Sequence, residues 1–134
     1  LGDVYKRQSM FNTPPVFSIY VSLLTMRWLK NLGGIKAIDE INKTKAIVMY
    51  SEIDLNPLFK GFAAVEDRST MNATFNLTNS DLKDTFELML KEAGIEGVNG
   101  HRSVGGYRAS MYNALSLDSV KVLVEVMSEL ETKA

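Results

Sequence analysis

A single histidine, His101, stands beside Arg102 in the stretch NGHRSVGGYRAS, residues 99–110, and Arg108 follows just beyond the pair Gly105–Gly106. Arginine presents a planar fork of N–H donors that grips carboxylate or phosphate at two points, which lysine cannot do. Two arginines and a histidine can therefore neutralise and orient a doubly anionic ligand. The glycines let the chain turn sharply and let a ligand approach the backbone. The competing reading is a polar loop with solvated charges and a glycine bend.

A second candidate is NTPP, residues 12–15. The first turn of a helix offers free N–H groups and a positive dipole end, which favour phosphate. Two prolines remove two of those donors, so an anion there would rest on the side chains of Asn12 and Thr13. The plainer reading makes Thr13 an N-cap, with Pro14 at the first helical position. Arg68 stands beside Glu66 and Asp67, and a local ion pair explains it. Lys43 and Lys45 fall mid-helix on a polar face, where nothing marks either as a nucleophile. Trp28 and the methionines read as core. No Ser–His–Asp spacing, phosphate-binding loop or dinucleotide fingerprint occurs.

The elements that must position these residues follow from periodicity. A helix is expected from Pro14 to about Asn31, ended by Gly33–Gly34. A second runs over about 35–55, with Ile38, Ile41 and Val48 on one face, and stops at Asn56–Pro57. Residues 58–66 read as irregular. In 69–77 the side chains alternate, Met71, Ala73, Phe75 and Leu77 against Thr70, Asn72, Thr74 and Asn76, as in a half-buried strand. Residues 78–94 form an amphipathic helix with the stripe Leu82, Phe86, Met89, Leu90 and Ala93. A strand covers about 104–111. A last helix runs from near Ser116 to about Thr132, with Val120, Leu123, Val124, Met127 and Leu130 as its stripe. The order predicts a small two-layer α/β domain, a short mainly antiparallel sheet covered by helices on one face. The first helix is apolar nearly all round and needs cover on several sides.

Bulk properties narrow the function. The chain has 134 residues, enough for one core, and is 46% apolar and 23% charged, as globular proteins are. A net charge of −1 gives no field for nucleic acid or an anionic membrane. No cysteine is present, so disulfides and thiolate metal sites are excluded, and one histidine gives no His-based metal cluster. The most apolar run, residues 15–29, is interrupted by Ser18, Ser22, Thr25 and Arg27 and is shorter than the roughly 20 residues of a spanning helix. No signal peptide is expected from LGDVYKRQ at the start. Three N-x-[ST] triplets, at Asn42, Asn72 and Asn76, are read as chance matches.

SMFNTPPVFSIYVSLLTMRWLKNLGGI at 9–35, DRSTMNATFNL at 67–77 and GHRSVGGYRASMYNAL at 100–115 together resemble the C-terminal part of the phosphoserine aminotransferase family. The resemblance covers nearly the whole chain from Ser9 onward. It implies the C-terminal small domain of a class-V, fold-type I enzyme dependent on pyridoxal phosphate. Such an enzyme exchanges an amino group between glutamate and 3-phosphohydroxypyruvate, giving 2-oxoglutarate and phosphoserine. It further implies a cytoplasmic homodimer in serine synthesis, in bacteria also serving the pyridoxine route. By the same resemblance Asn12 and Thr13 bind the cofactor phosphate across the dimer. Arg108 holds the substrate α-carboxylate, and His101 and Arg102 line the pocket near the distal anionic group. The family's Schiff-base lysine falls upstream of the matched region, so the chain alone is expected to be inactive. Residues 1–8 do not fit the family pattern and are expected to be a non-native leader. Residues 9–34 then form the connecting segment and long helix, and 35–134 the small domain. The reading from another class is a stand-alone anion-binding or regulatory module without catalysis.

Overall fold

The computed structural model describes residues 14–100 and 105–133, and the chain divides into two compact units, Leu1–Ile38 and Asp39–Ala134. In the first unit, helix α1 spans Val16–Asn31. Pro14 is not its first residue, contrary to the expectation. A residue that precedes proline is pushed out of the α region, so Pro14 stays outside and Pro15 takes the capping position with ψ of 71°. The helix ends where expected. The N–H of Gly33 donates to Lys30 O at 3.1 Å, and Gly33 and Gly34 take φ of 104° and 79°, which side chains resist. No residue of α1 is buried. Phe17 is 81% exposed and Trp28 40%, so Trp28 is not core. The apolar residues of a helix that the sequence reads as needing cover are thus exposed.

Helix α2, Gly34–Leu55, has a different buried face from the one its apolar residues suggest. Ile38, Asn42, Lys45, Ala46, Met49 and Ile53 are buried, whereas Ile41 is 37% exposed and Val48 is half-buried. Two polar residues interrupt the true stripe, so the apolar pattern alone pointed about a fifth of a turn away. Buried Asn56 ends the helix. Its N–H donates to Glu52 O at 3.0 Å, its Oδ1 accepts from the Leu58 N–H at 3.0 Å, and its Nδ2 donates to Met127 O at 3.1 Å.

Among the described residues one sheet forms, from β1 (Phe59–Gly61), β2 (Asn72–Leu77) and β3 (Tyr107–Ser110) in the order β1-β2-β3. Both pairings are antiparallel, with Phe59 opposite Leu77 and Thr74 opposite Arg108. Strand β1 falls in the stretch read as irregular. Three residues are too few to show a period, and the strand exists because β2 offers it a ladder. Helix α3 spans Lys83–Glu92, and its entry is a tight turn, Ser80–Leu82, in which Asn79 Oδ1 accepts from the Asp81 N–H at 3.0 Å. Phe86, Met89 and Leu90 are buried as predicted, but Ala93 is exposed. Helix α4, Leu117–Lys133, is capped by Ser116, whose Oγ accepts from the Ser119 N–H at 3.1 Å. It buries Val120, Leu123, Val126, Met127 and Leu130.

One core joins α2, α3 and α4 to one face of the sheet. At its centre four aromatic rings close a circuit. Phe59 lies 5.7 Å from Phe75 and 5.3 Å from Phe86, and Tyr107 lies 5.5 Å from Phe75 and 5.0 Å from Phe86. Three of these contacts are edge-to-face and one is stacked, the arrangements that favour the ring quadrupoles. The architecture is the α/β layer with helices on one face that the sequence predicts.

Candidate functional site

Alternation along β3 sends Tyr107 and Ala109 into the core and Arg108 to the other side. Opposite Arg108 stands Thr74, and opposite Ser110 stands Asn72, so these four share the sheet's outer face. Asn76 and Phe62 complete a shallow cavity of about 240 Å³ with Thr74, Arg108, Gly100 and Gly105. Arg108 is exposed, and among the described residues it forms no ion pair. Its cationic fork is thus available to an anion, with an apolar wall at Phe62 and hydroxyl and amide groups at Thr74 and Asn76. Such an arrangement has the chemistry to hold a small carboxylate.

The glycine pair forms a bend beside that cavity, and Gly106 packs closely there. Gly105 and Gly106 adopt φ of 73° and 67°. A Cβ on Gly106 would fall on Asn76 Oδ1 and lie 2.9 Å from Phe75 O. The bend brings residues 98–100 back alongside β3. The Arg108 N–H donates to Val98 O at 2.6 Å, and the Gly100 N–H to Gly106 O at 2.8 Å. Asn12, Thr13, His101 and Arg102 lie outside the described residues, so Arg108 is the one predicted site residue whose surroundings are seen.

Tyr107 lies on the inner face of the same strand. Its hydroxyl is buried and meets no partner among the described residues. Burial, with Glu87 and Asp84 nearby, pushes its pKa up to about 12, which keeps it neutral at physiological pH.

Two charged residues differ from their sequence reading. Lys45 is 0% exposed and not on a polar face. Its Nζ donates to the carbonyls of Met111, Tyr112 and Leu115 at 3.0, 2.8 and 3.1 Å. Burial lowers its pKa. Arg68 pairs with Asp54 of α2 rather than with its sequence neighbours. Its Nη1 and Nη2 reach Asp54 Oδ2 and Oδ1 at 2.6 and 2.7 Å, and its guanidinium lies 4.6 Å above the Tyr50 ring. The side-chain hydrogen bonds from Arg68 hold the Asp54 carboxyl below its ordinary value. At helical spacing the polar residues Asn42 and Lys45 fall among the buried residues of α2, and buried Asn56 follows just beyond its end, a signal that an apolar-only count discards.

Among the described residues no group of His, Asp or Glu is placed to hold a metal ion, and no helix is long and apolar enough to cross a membrane.

Residues 3–123 match the aminotransferase class-V family. The phosphoserine aminotransferase of Flavobacterium psychrophilum is 66% identical over 128 residues, and that of Flavobacterium johnsoniae 59%. Each match covers 96% of this chain and 36% of the relative, so the chain spans about a third of the length of the curated relatives it matches. Among solved structures, phosphoserine aminotransferase from Bacillus circulans subsp. alkalophilus aligns with a TM-score of 0.89 at 37% identity, over 96% of this chain and 36% of that one. A pyridoxal-phosphate-bound phosphoserine aminotransferase from Trichomonas vaginalis aligns with a TM-score of 0.82 at 37% identity, over 92% and 36%.

Proposed function

The chain belongs to the aminotransferase class-V family, and we propose that it forms the C-terminal part of an enzyme that moves an amino group from glutamate to 3-phosphohydroxypyruvate, giving phosphoserine and 2-oxoglutarate. The observation that carries this reading is the placement of Arg108. It projects from the outer face of β3 into a small cavity that also holds Phe62, Thr74 and Asn76. Both amino-acid partners of the reaction carry an α-carboxylate. A two-pronged arginine offsets the desolvation of that group and fixes the plane of the bound substrate. Phe62 supplies an apolar wall on one side. His101 and Arg102 are assigned to the distal anion, phosphate in one substrate and carboxylate in the other, which an uncharged amino acid lacks.

Pyridoxal phosphate is the cofactor of this reading, and when bound it supplies the electron sink for bond changes at the amino-acid α-carbon. Asn12 and Thr13 fit its phosphate by chemistry, since an amide N–H and a hydroxyl both donate to a phosphate oxygen. Five of the described lysines are already engaged. Lys45 uses all three of its protons on carbonyls, and Lys43, Lys83, Lys121 and Lys133 lie in exposed pairs with acidic neighbours on their own helices. The amine that the cofactor's aldehyde needs is assigned to the part of the relatives' length which this chain does not span. A second copy of the protein is the proposed partner, with Asn12 and Thr13 reaching its site. Cytoplasmic serine synthesis, and in bacteria pyridoxine synthesis, is the proposed setting.

The test is phosphoserine formation by the full-length protein from glutamate and 3-phosphohydroxypyruvate. Arg108→Lys should raise the KM for glutamate about 10- to 100-fold, the loss of one charge-assisted bidentate contact. A normal KM in Arg108→Lys overturns the carboxylate role. Asn12→Ala should loosen the cofactor more than the substrate, and unchanged cofactor affinity refutes that assignment.

A further inference from the structure

Lys45 is among the largest fully buried side chains, and it carries a charge with no carboxylate paired to it among the described residues. An ammonium removed from water costs several kcal/mol unless its protons are all bonded. Here they are. An ammonium has three donors, and Met111, Tyr112 and Leu115 present three carbonyls at 2.8–3.1 Å. One turn of α2 earlier, Asn42 Nδ2 donates to Asn113 Oδ1 at 2.8 Å. Two polar side chains of α2 therefore hold a single turn, 111–115. That turn begins where β3 ends. Met111 is buried, and its N–H donates to Met71 O at 2.8 Å while its carbonyl accepts from Lys45.

The geometry matters because β3 is a four-residue strand at the edge of the sheet. Arg108 faces the cavity only in the register that sets it opposite Thr74. A slip of one residue would turn every side chain of the strand to the other face. The strand's leading end is tied by the 98–100 segment, and its trailing end by the turn that Lys45 grips. We infer that Lys45, seconded by Asn42, is a positioning residue that fixes β3 in the register and depth at which Arg108 meets the substrate carboxylate. This rests on the function proposed above.

The experiment is a double-mutant cycle in the full-length protein, reading KM, kcat and cofactor absorbance. Lys45→Met should raise the KM for glutamate about tenfold while kcat and cofactor content stay within about twofold, since misplacing a contact costs binding first. In the Arg108→Lys background the same change should add little, because the contact it positions is already lost. Leu130→Ala in the α4 core should lower the melting temperature without moving KM. The proposal is overturned if KM in Lys45→Met stays at the wild-type value, or if its rise persists undiminished beside Arg108→Lys. Should Lys45→Met fail to fold, exposed Asn113→Ala decides: a rise of about threefold in KM, absent beside Arg108→Lys, is expected, and no rise overturns the inference. If the wild type shows no transfer from glutamate, the functional reading fails instead. Hydrogen exchange of 107–115 in the same variants then decides, with lost protection expected and unchanged protection overturning the clamp.

Discussion

On β2, Ala73 and Phe75 point into the core, while Thr74 and Asn76 share the outer face with Arg108. The two faces belong to the same strands and differ by one residue of phase. The inner face is closed by aromatic rings in mutual contact and by three helices. The outer face is polar, partly open and holds an arginine that makes no ion pair among the described residues. The difference teaches that core packing and an open, polar, cationic surface are separated by the pleat. Substitutions on one face should therefore leave the other face's property alone.

The strongest test of that separation is Phe86→Ala. It opens the aromatic circuit by removing the contacts to Phe59 and Tyr107 and should cost about 3–5 kcal/mol of unfolding free energy in urea. Gly106→Ala comes next, because it forces a side chain into a left-handed conformation against the Phe75 carbonyl. A loss of about 1–3 kcal/mol is expected by the same measurement. Arg68→Ala should cost about 1 kcal/mol, a modest value because Asp54 is half-exposed and water screens the pair.

That pair also gives a pH signature. Asp54 titrates lower in the folded chain than in the unfolded one, so its contribution is complete above the unfolded value of about 3.9 and is lost as pH falls through the folded value. Below about pH 4 the wild type should therefore lose stability more steeply than Asp54→Asn. Parallel curves would mean that the pair adds nothing. The smallest effect is expected at Arg108→Ala, within about 0.5 kcal/mol of wild type in stability. If Arg108→Ala proved as destabilising as Phe86→Ala, the division between the faces would be wrong.

Much of this was legible in the residues themselves. Alternation in 71–77 gave the inner and outer sets of β2, and the stripes of α3 and α4 were read nearly in full. Gly33–Gly34, Gly94 and Ser116 marked helix ends by local rules that need no tertiary contact. Strand β1 was hidden because three residues hold no period, and its extended form depends on β2 beside it. Arg68 chose Asp54 over its own neighbours because α2 places that carboxylate within reach of both arms of the guanidinium.

What the sequence determined alone was the alphabet of the site and its order: a forked cation after a glycine bend, on a strand, among helices. Local stereochemistry and hydrophobic period suffice for that. Only the tertiary structure decided the fate of Lys45 and Asn42. Polarity predicts exposure when a residue is considered by itself, but three carbonyls at the end of β3 converge where α2 passes and offset the cost of burying an ammonium. Such convergence depends on chain segments about seventy residues apart, and no local pattern encodes it.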